Sequence, residues 1–299
     1  MGFLIYVLDT LIFVGIFAIL ALSLNLEAGF TNLMNFGKVA FFAVGAYTSA
    51  ILTLHGLPFA VGVVMAAILA GFSGFLIAIP TLRLTEEHLA IVTIAAGEIL
   101  RLFLLSETWL TNGSVGLSGI PRPMFSVFRE NYHLFYVGLV FLFLFIFYLI
   151  AERIVYSPFG RVLKAIREDE TATKALGKNV FMFKTKSFVI GSGMAGVAGS
   201  LFAHYITFIA PIMFLPTLTF SVWIMIIIGG RANNLGVILG AVLIQLFERS
   251  TRFIKDFVTL PFDPANVRLI VIGLLLILFM IYRPEGVLEE RKVRSLVKR

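Results

Sequence analysis

The sequence predicts an all-α integral membrane protein, a polytopic helix bundle of about eight to ten transmembrane segments forming one domain over residues 1–299. Three observations lead there. Hydrophobic residues make up 59% of the chain and charged residues 14%, whereas a soluble domain carries roughly a quarter charged. Uncharged apolar runs recur at the length that a bilayer requires, about 20 residues. The basic residues gather in two blocks beside those runs instead of spreading over the chain.

The segments follow in order. Residues 3–24 form the first, and the first 25 residues hold only Asp9 as a charge. A removable signal would carry Lys or Arg before its apolar run, so this segment is expected to stay as a span. Tyr6 stands where an N-myristoyl signal beginning at Gly2 needs Ser or Thr. Runs at 58–80, 89–105 and 134–151 supply three more spans. Between 187 and 230 there is no Asp, Glu, Lys or Arg, and Pro211 and Pro216 divide that stretch into two spans, the second at 214–230. Residues 269–282 close the set. Two further segments, 39–54 and 235–247, are short and glycine-flanked, a length that suits half-helices.

A net charge of +7 does not point to nucleic acid, because its carriers flank apolar spans. One block runs from Arg153 through Lys174 and Lys178 to Lys186; the other runs from Arg283 to Arg299. Both belong in the cytoplasm by the positive-inside rule. That gives a cytoplasmic loop at 152–186, an external loop at 106–133, a cytoplasmic basic tail at 283–299, and a multi-pass protein of the cytoplasmic membrane surrounded by lipid. The absence of cysteine excludes disulfides, thiol catalysis and Cys-ligated metals.

The stretch AIREDETATKALGK, residues 165–178, concentrates charge in an otherwise apolar chain. Val162, Leu163, Ile166, Ala172, Ala175 and Leu176 recur at near-helical spacing between the charges, with Pro158 before and Gly177 after. Two readings fit: a short helix held by the protein beneath while presenting charge to a partner, or a solvated loop that only obeys the positive-inside rule.

Several stretches in chain order carry a family resemblance: MNFGKVAFFAVGAYTSA (34–50), EHLAIVTIAAGEILRL (87–102), NGSVGLSGIPRP (112–123), YSPFGRVLKAIREDETATKALGKN (156–179), GMAGVAGSLFAHYITFIAP (193–211) and YRPEG (282–286). Together they resemble the LivM-type permease subunits of branched-chain amino acid ABC importers. The resemblance implies that the 152–186 loop docks on an ATP-hydrolysing subunit. Arg161, Lys164, Arg167, Glu168, Asp169 and Glu170 would be the docking charges, and Ala172, Ala175 and Gly177 the close-approach surface. The usual importer pattern of Glu-Ala-Ala, three residues and Gly is not matched, since Glu170 lies seven residues before Gly177 and Thr171 takes the first alanine position. The implied partners are a second, LivH-like permease, two ABC ATPase subunits that bind ATP and Mg, and an extracytoplasmic substrate-binding protein. No cofactor is expected on this chain. The cargo would be a branched-chain amino acid or another small polar solute such as urea or a short amide.

Other patterns bear on the path and on what the chain does not do. Neither Gly37-Lys38 nor Gly177-Lys178 is followed by Ser or Thr or preceded by the spacing of a P-loop, so ATP hydrolysis belongs to separate chains. Gly191, Gly193 and Gly196 spell GxGxxG, but no acidic residue follows before Glu248, which argues against a dinucleotide site. Ser192, Gly196 and Ser200 instead form a small-residue stripe for close helix packing.

Candidate path residues fall in two glycine- and asparagine-rich breaks. The first brings Asn25, Asn32, Asn35 and Gly37 together, the second Gly229, Gly230, Asn233 and Asn234. Broken helices offer N–H groups and dipole ends to a substrate; ordinary interhelical turns have the same composition. Glu98 and Arg101, three apart on one helix, either line the path or pair structurally near the outer interface. Arg122 and Arg129 in the external loop either contact a binding protein or belong to a lid. No histidine spacing suits a metal. A self-sufficient secondary transporter or channel is the alternative from another class, and a scaffold without transport a third.

Overall fold

A computed structural model describes residues 2–82, 84, 86–257, 273–274, 277–279, 281–283 and 285–290. The expected all-α membrane bundle is what these residues form. Helix α1 (Gly2–Leu24) widens into a π turn at Asn25–Gly29, and an irregular segment leads to α2 (Lys38–Leu54). Next come α3 (Phe59–Thr81), α4 (Glu86–Ser106) and the single turn α5 (Thr108–Thr111). After the two-residue strand β1 (Leu117–Ser118), α6 (Tyr132–Tyr156) runs back through the bundle. Two short helices, α7 (Pro158–Glu168) and α8 (Glu170–Ala175), connect it to the long α9 (Val180–Ile206). Strand β2 (Phe208–Ile209) pairs antiparallel with β1, Leu117 opposite Ile209. Helices α10 (Pro216–Gly229) and α11 (Asn234–Phe257) complete the elements described.

Among the described residues, six segments are long and apolar enough to cross a membrane, from Phe3–Gly29 to Pro211–Gly229; α2 is shorter. The expected short segment at 235–247 is instead the first part of a 24-residue helix, which runs on past the apolar stretch through Glu248 and Arg249. The span expected at 269–282 lies largely outside the described residues, as does the tail from Arg291 to Arg299.

Helix α9 sits at the centre against α1, α2 and α3. Its position follows from its small residues. A Cβ on Gly196 would overlap Ala70 and the Ala66 carbonyl, one on Gly199 would overlap the Phe42 carbonyl, and Gly45 of α2 lies directly on the Gly196 backbone. Lipid tails are as apolar as the side chains themselves, so close backbone approach and van der Waals contact take over the role that the hydrophobic effect plays in water. Ser200 donates to Ser49 at 2.7 Å, and the buried Ser192 packs on Gly74. The three glycines of the GxGxxG pattern are thus interior turns of a buried helix.

Candidate functional site

The two breaks predicted from composition meet in space. At the end of α1 the π turn leaves Asn25 and Glu27 fully buried, and Asn32 adopts φ +58° to start the irregular segment. From 32 to 37 burial alternates: Leu33, Asn35 and Gly37 are buried, while Asn32, Met34 and Phe36 are half-buried. Non-helical backbone at membrane depth survives only where protein satisfies its polar groups. Here Leu33 N–H donates to the Glu27 carbonyl at 3.0 Å, Phe36 N–H to Thr93 Oγ1 at 3.0 Å and Val39 N–H to Thr219 Oγ1 at 3.0 Å. Trp223 Nε1 donates to the Asn35 carbonyl at 3.1 Å.

An ion pair lies at the centre of this region. Lys38 Nζ donates to Glu27 Oε1 at 2.6 Å, and neither side chain has any exposure. Asn35 Nδ2 donates to the other carboxylate oxygen at 2.8 Å, while its Oδ1 receives Gly37 N–H at 3.0 Å. Gly191 of α9 leaves room for the carboxylate, since a Cβ there would overlap Glu27. Gly37 lies against the Thr93 carbonyl in the same way.

A second polar chain ties the two breaks together. Asn25 Nδ2 donates to Asn234 Oδ1 at 3.0 Å, Asn25 Oδ1 receives Ala232 N–H at 3.0 Å, and Asn234 Nδ2 donates to Glu152 at 3.0 Å. Gly229 and Gly230 lie beneath the segment 285–290: Val287 N–H reaches the Ile228 carbonyl at 2.8 Å and Leu288 N–H the Gly229 carbonyl at 3.1 Å. Asn233 donates to the Glu289 carbonyl at 2.7 Å. Asn25, Asn35, Gly37, Gly229, Gly230 and Asn234 therefore hold the breaks closed from within. The surface of the break is Met34, Phe36 and Phe220, with the Arg231 guanidinium 5.6 Å over Trp223 and Phe36 stacked on the same ring at 4.8 Å. Glu98 and Arg101 pair on the half-exposed side of α4, one residue from Gly97, which faces Gly37.

Composition reasoning passed over Glu27, Lys38, Thr93, Thr219 and Trp223. The signal for the first two was present: two ionisable groups eleven residues apart, on either side of a break between apolar spans.

Beside the breaks, where α6 ends, the charged stretch is two helices, where the spacing predicts one. Asp169 breaks the run with extended backbone (φ −155°, ψ 105°) and caps α8 by accepting Ala172 N–H at 2.9 Å. This resets the helical phase. Leu163, Ile166 and Thr173 are buried, whereas Ala172, Ala175 and Leu176 of the expected apolar stripe face outward, Leu176 at 79% exposure. Leu163 packs with Leu26, Phe30, Val155 and Ala232 beneath the breaks. Ser157 caps α7, Pro158 takes its first turn, and Gly177 ends the segment at φ +75°.

The predicted docking charges separate into two groups. Arg167 turns inward, donating to the Gly29 carbonyl at 3.0 Å and pairing with Glu168 and Glu290, each at 2.9 Å. Burial works against its charge, but the two carboxylates prevail and raise its pKa. Glu170 pairs with Lys174 and Lys184; burial pushes its carboxyl up, and the two ammonium groups more than offset this and hold it low. Lys164 lies 5.5 Å from the Phe30 ring and 5.4 Å from Tyr156. Arg161, Glu168, Asp169, Ala172, Ala175 and Gly177 are exposed. Among the described residues no group of His, Cys, Asp and Glu could hold a metal.

A family model for the branched-chain amino acid transport system permease component matches residues 6–280. The chain is 34% identical to the high-affinity branched-chain amino acid transport system permease protein LivM of Escherichia coli (strain K12), over 91% of this chain and 68% of that protein. It is 30% identical to a probable branched-chain amino acid transport permease protein LivM of Methanocaldococcus jannaschii, over 95% and 93%. To the E. coli permease protein LivH it is 24% identical, over 93% of each chain. No solved structure matches.

Proposed function

The chain belongs to the family of branched-chain amino acid transport system permease components, and from that premise we propose that it moves branched-chain amino acids through the membrane as one of two unlike permeases in an ATP-driven importer. It is a multi-pass membrane permease subunit and not an enzyme; hydrolysis of ATP belongs to other subunits of such systems. Two ATPases carrying ATP and Mg would dock on the α7–α8 arm at the basic, cytoplasmic end, and a binding protein would deliver cargo at the other. The chain itself would hold no cofactor.

One observation carries this reading. Arg167 connects the exposed arm to the Gly29 carbonyl, at the point where α1 breaks. Leu163 rests on Leu26 and Phe30 of the same break. A displacement of the arm by closing ATPases is therefore delivered to the irregular segment 32–37. The test is ATP-dependent uptake of leucine by liposomes holding this chain with its candidate partners. Uptake that requires ATP and the binding protein supports the reading. Uptake by this chain alone, driven by a proton gradient, would favour a secondary transporter in which the buried Glu27–Lys38 pair serves as the relay.

A further inference from the structure

Helix α4 carries two ionisable groups at membrane depth on a face that the described residues leave open. Arg101 Nε donates to both Glu98 carboxylate oxygens at 3.0 Å, yet the Glu98 side chain is 37% exposed and that of Arg101 18%. Glu98 lies eight residues before Ser106, the last of α4. That is about 12 Å along the helix axis, in a hydrocarbon core about 30 Å thick, so a glutamate side chain cannot reach the headgroups from there. Charged side chains within spans face protein or a water-filled space, not lipid.

The second observation is the row in which Glu98 stands. Ile91, Ala95, Glu98, Leu102 and Leu105 follow one another at intervals of four, three, four and three, which lines them up along one side of the helix. All but Glu98 are exposed. The row has the parts of a helix–helix seam: apolar side chains, a small residue for close approach, and one polar group at the centre to fix register and partner. The other outward-facing spans differ. Helix α3 exposes Ile68 and Phe72, and α6 exposes Leu142 and Phe145, with no Asp, Glu, Lys or Arg between 59 and 81 or between 134 and 151. Those faces suit lipid.

We propose that this row of α4 is the seat of the second, unlike permease. The inference rests on the importer reading above, in which the ATPases and the binding protein dock at the two aqueous ends. At the depth of Glu98 only a membrane-spanning partner can cover the row. That partner brings an apolar helix face to Ile91, Ala95, Leu102 and Leu105, and a hydrogen-bond donor to Glu98, whose oxygens keep acceptor capacity beside Arg101. On the neighbouring side of α4, Thr93 holds Phe36 N–H and Gly97 faces Gly37. The irregular segment 32–37 therefore stands one helix away from the boundary between the two permeases.

Photo-crosslinking in the purified importer complex tests this, with p-benzoylphenylalanine placed at Ile91 or Leu102 and, as controls, at Ile68 or Phe145. Irradiation is expected to join the two α4 positions to the second permease, identified by mass spectrometry, at least tenfold more than the controls. Ala95→Trp enlarges an exposed side chain, so this chain should keep its abundance in the membrane while the second permease recovered with it falls fivefold or more. Adducts of the α4 positions with lipid, within this chain or with a second copy of it would overturn the seat. So would equal adducts from the controls, or full recovery of the second permease with Ala95→Trp. In each of those cases ATP-driven leucine uptake by the parent complex leaves the permease reading standing. A parent chain that purifies without a second permease and shows no ATP-driven uptake would sink the permease reading itself, and the seat with it.

Discussion

Lys38 and Glu27 form an ion pair at 2.6 Å with neither side chain exposed, joining the two ends of the irregular segment between α1 and α2. Taking two charges out of water is costly, and the pair holds because Asn35 occupies the second carboxylate oxygen. Removing one partner leaves the other charged and alone.

Lys38→Met or Glu27→Gln should therefore each destabilise the chain by about 3 to 5 kcal/mol, and the double variant by less than the sum. Thermal unfolding in detergent across the four proteins measures the coupling. Additive losses would show that the pair is not the element holding the break.

Asn234 links Asn25 to Glu152, and it is 3% exposed. If Asn234 only lined a path, Asn234→Leu would lower transport with abundance unchanged. The burial changes that expectation. Leucine at 234 leaves both partners unsatisfied, at about 1 to 3 kcal/mol for each stranded group, so abundance and melting temperature should fall together with transport. A variant as stable as the parent would show that water replaces the lost bonds.

The bundle was legible because a bilayer imposes a length on every span, and the apolar runs at 58–80 and 134–151 are of that length. The place of α9 was legible through Ser192, Gly196 and Ser200, whose four-residue spacing records close approach by neighbouring helices. The breaks were also visible, as Asn and Gly clusters. Their joining was not, because Asn25 and Asn234 are 209 residues apart and composition carries no information on which turn meets which. The phase of the charged arm was misjudged for a local reason: Asp169 acts as a cap, which restarts the helix, and periodicity counted across a cap loses register.

Glu170 gives the arm a dependence on acid. Its carboxyl is held below its ordinary value by Lys174 and Lys184. A depressed folded-state pKa means that the stability from this pairing is fully present above the unfolded carboxylate value of about 4.3 and is lost as pH falls through the lower folded value. Melting temperature should decline between about pH 5 and pH 3, less steeply in Glu170→Gln than in the parent. Equal slopes would assign the acid sensitivity to other carboxylates.

Coupling should reside in the outward face of α8 more than in the charges that turn inward. Arg167 and Glu170 are engaged within the chain, so substituting them disturbs the anchor as well as any docking contact. Glu168, Ala172 and Ala175 are exposed, and the Glu168 side chain is 73% so. A partner seated closely on α8 has no room for an indole, and its basic groups would be repelled by a reversed charge. Ala172→Trp and Glu168→Lys should thus each lower ATP-driven uptake tenfold or more and release the ATPases on purification. Ala172→Trp should change stability by no more than about 0.5 kcal/mol, as is typical of exposed substitutions, and Glu168→Lys, which also gives up the exposed ion pair with Arg167, by about 1 kcal/mol. Arg167→Ala, by contrast, should lower both uptake and stability, because the Gly29 carbonyl and Glu290 lose their partner. If Ala172→Trp transports normally and keeps its ATPases, the docking surface lies elsewhere than on α8, and the mechanical route through Arg167 to the break in α1 has no input.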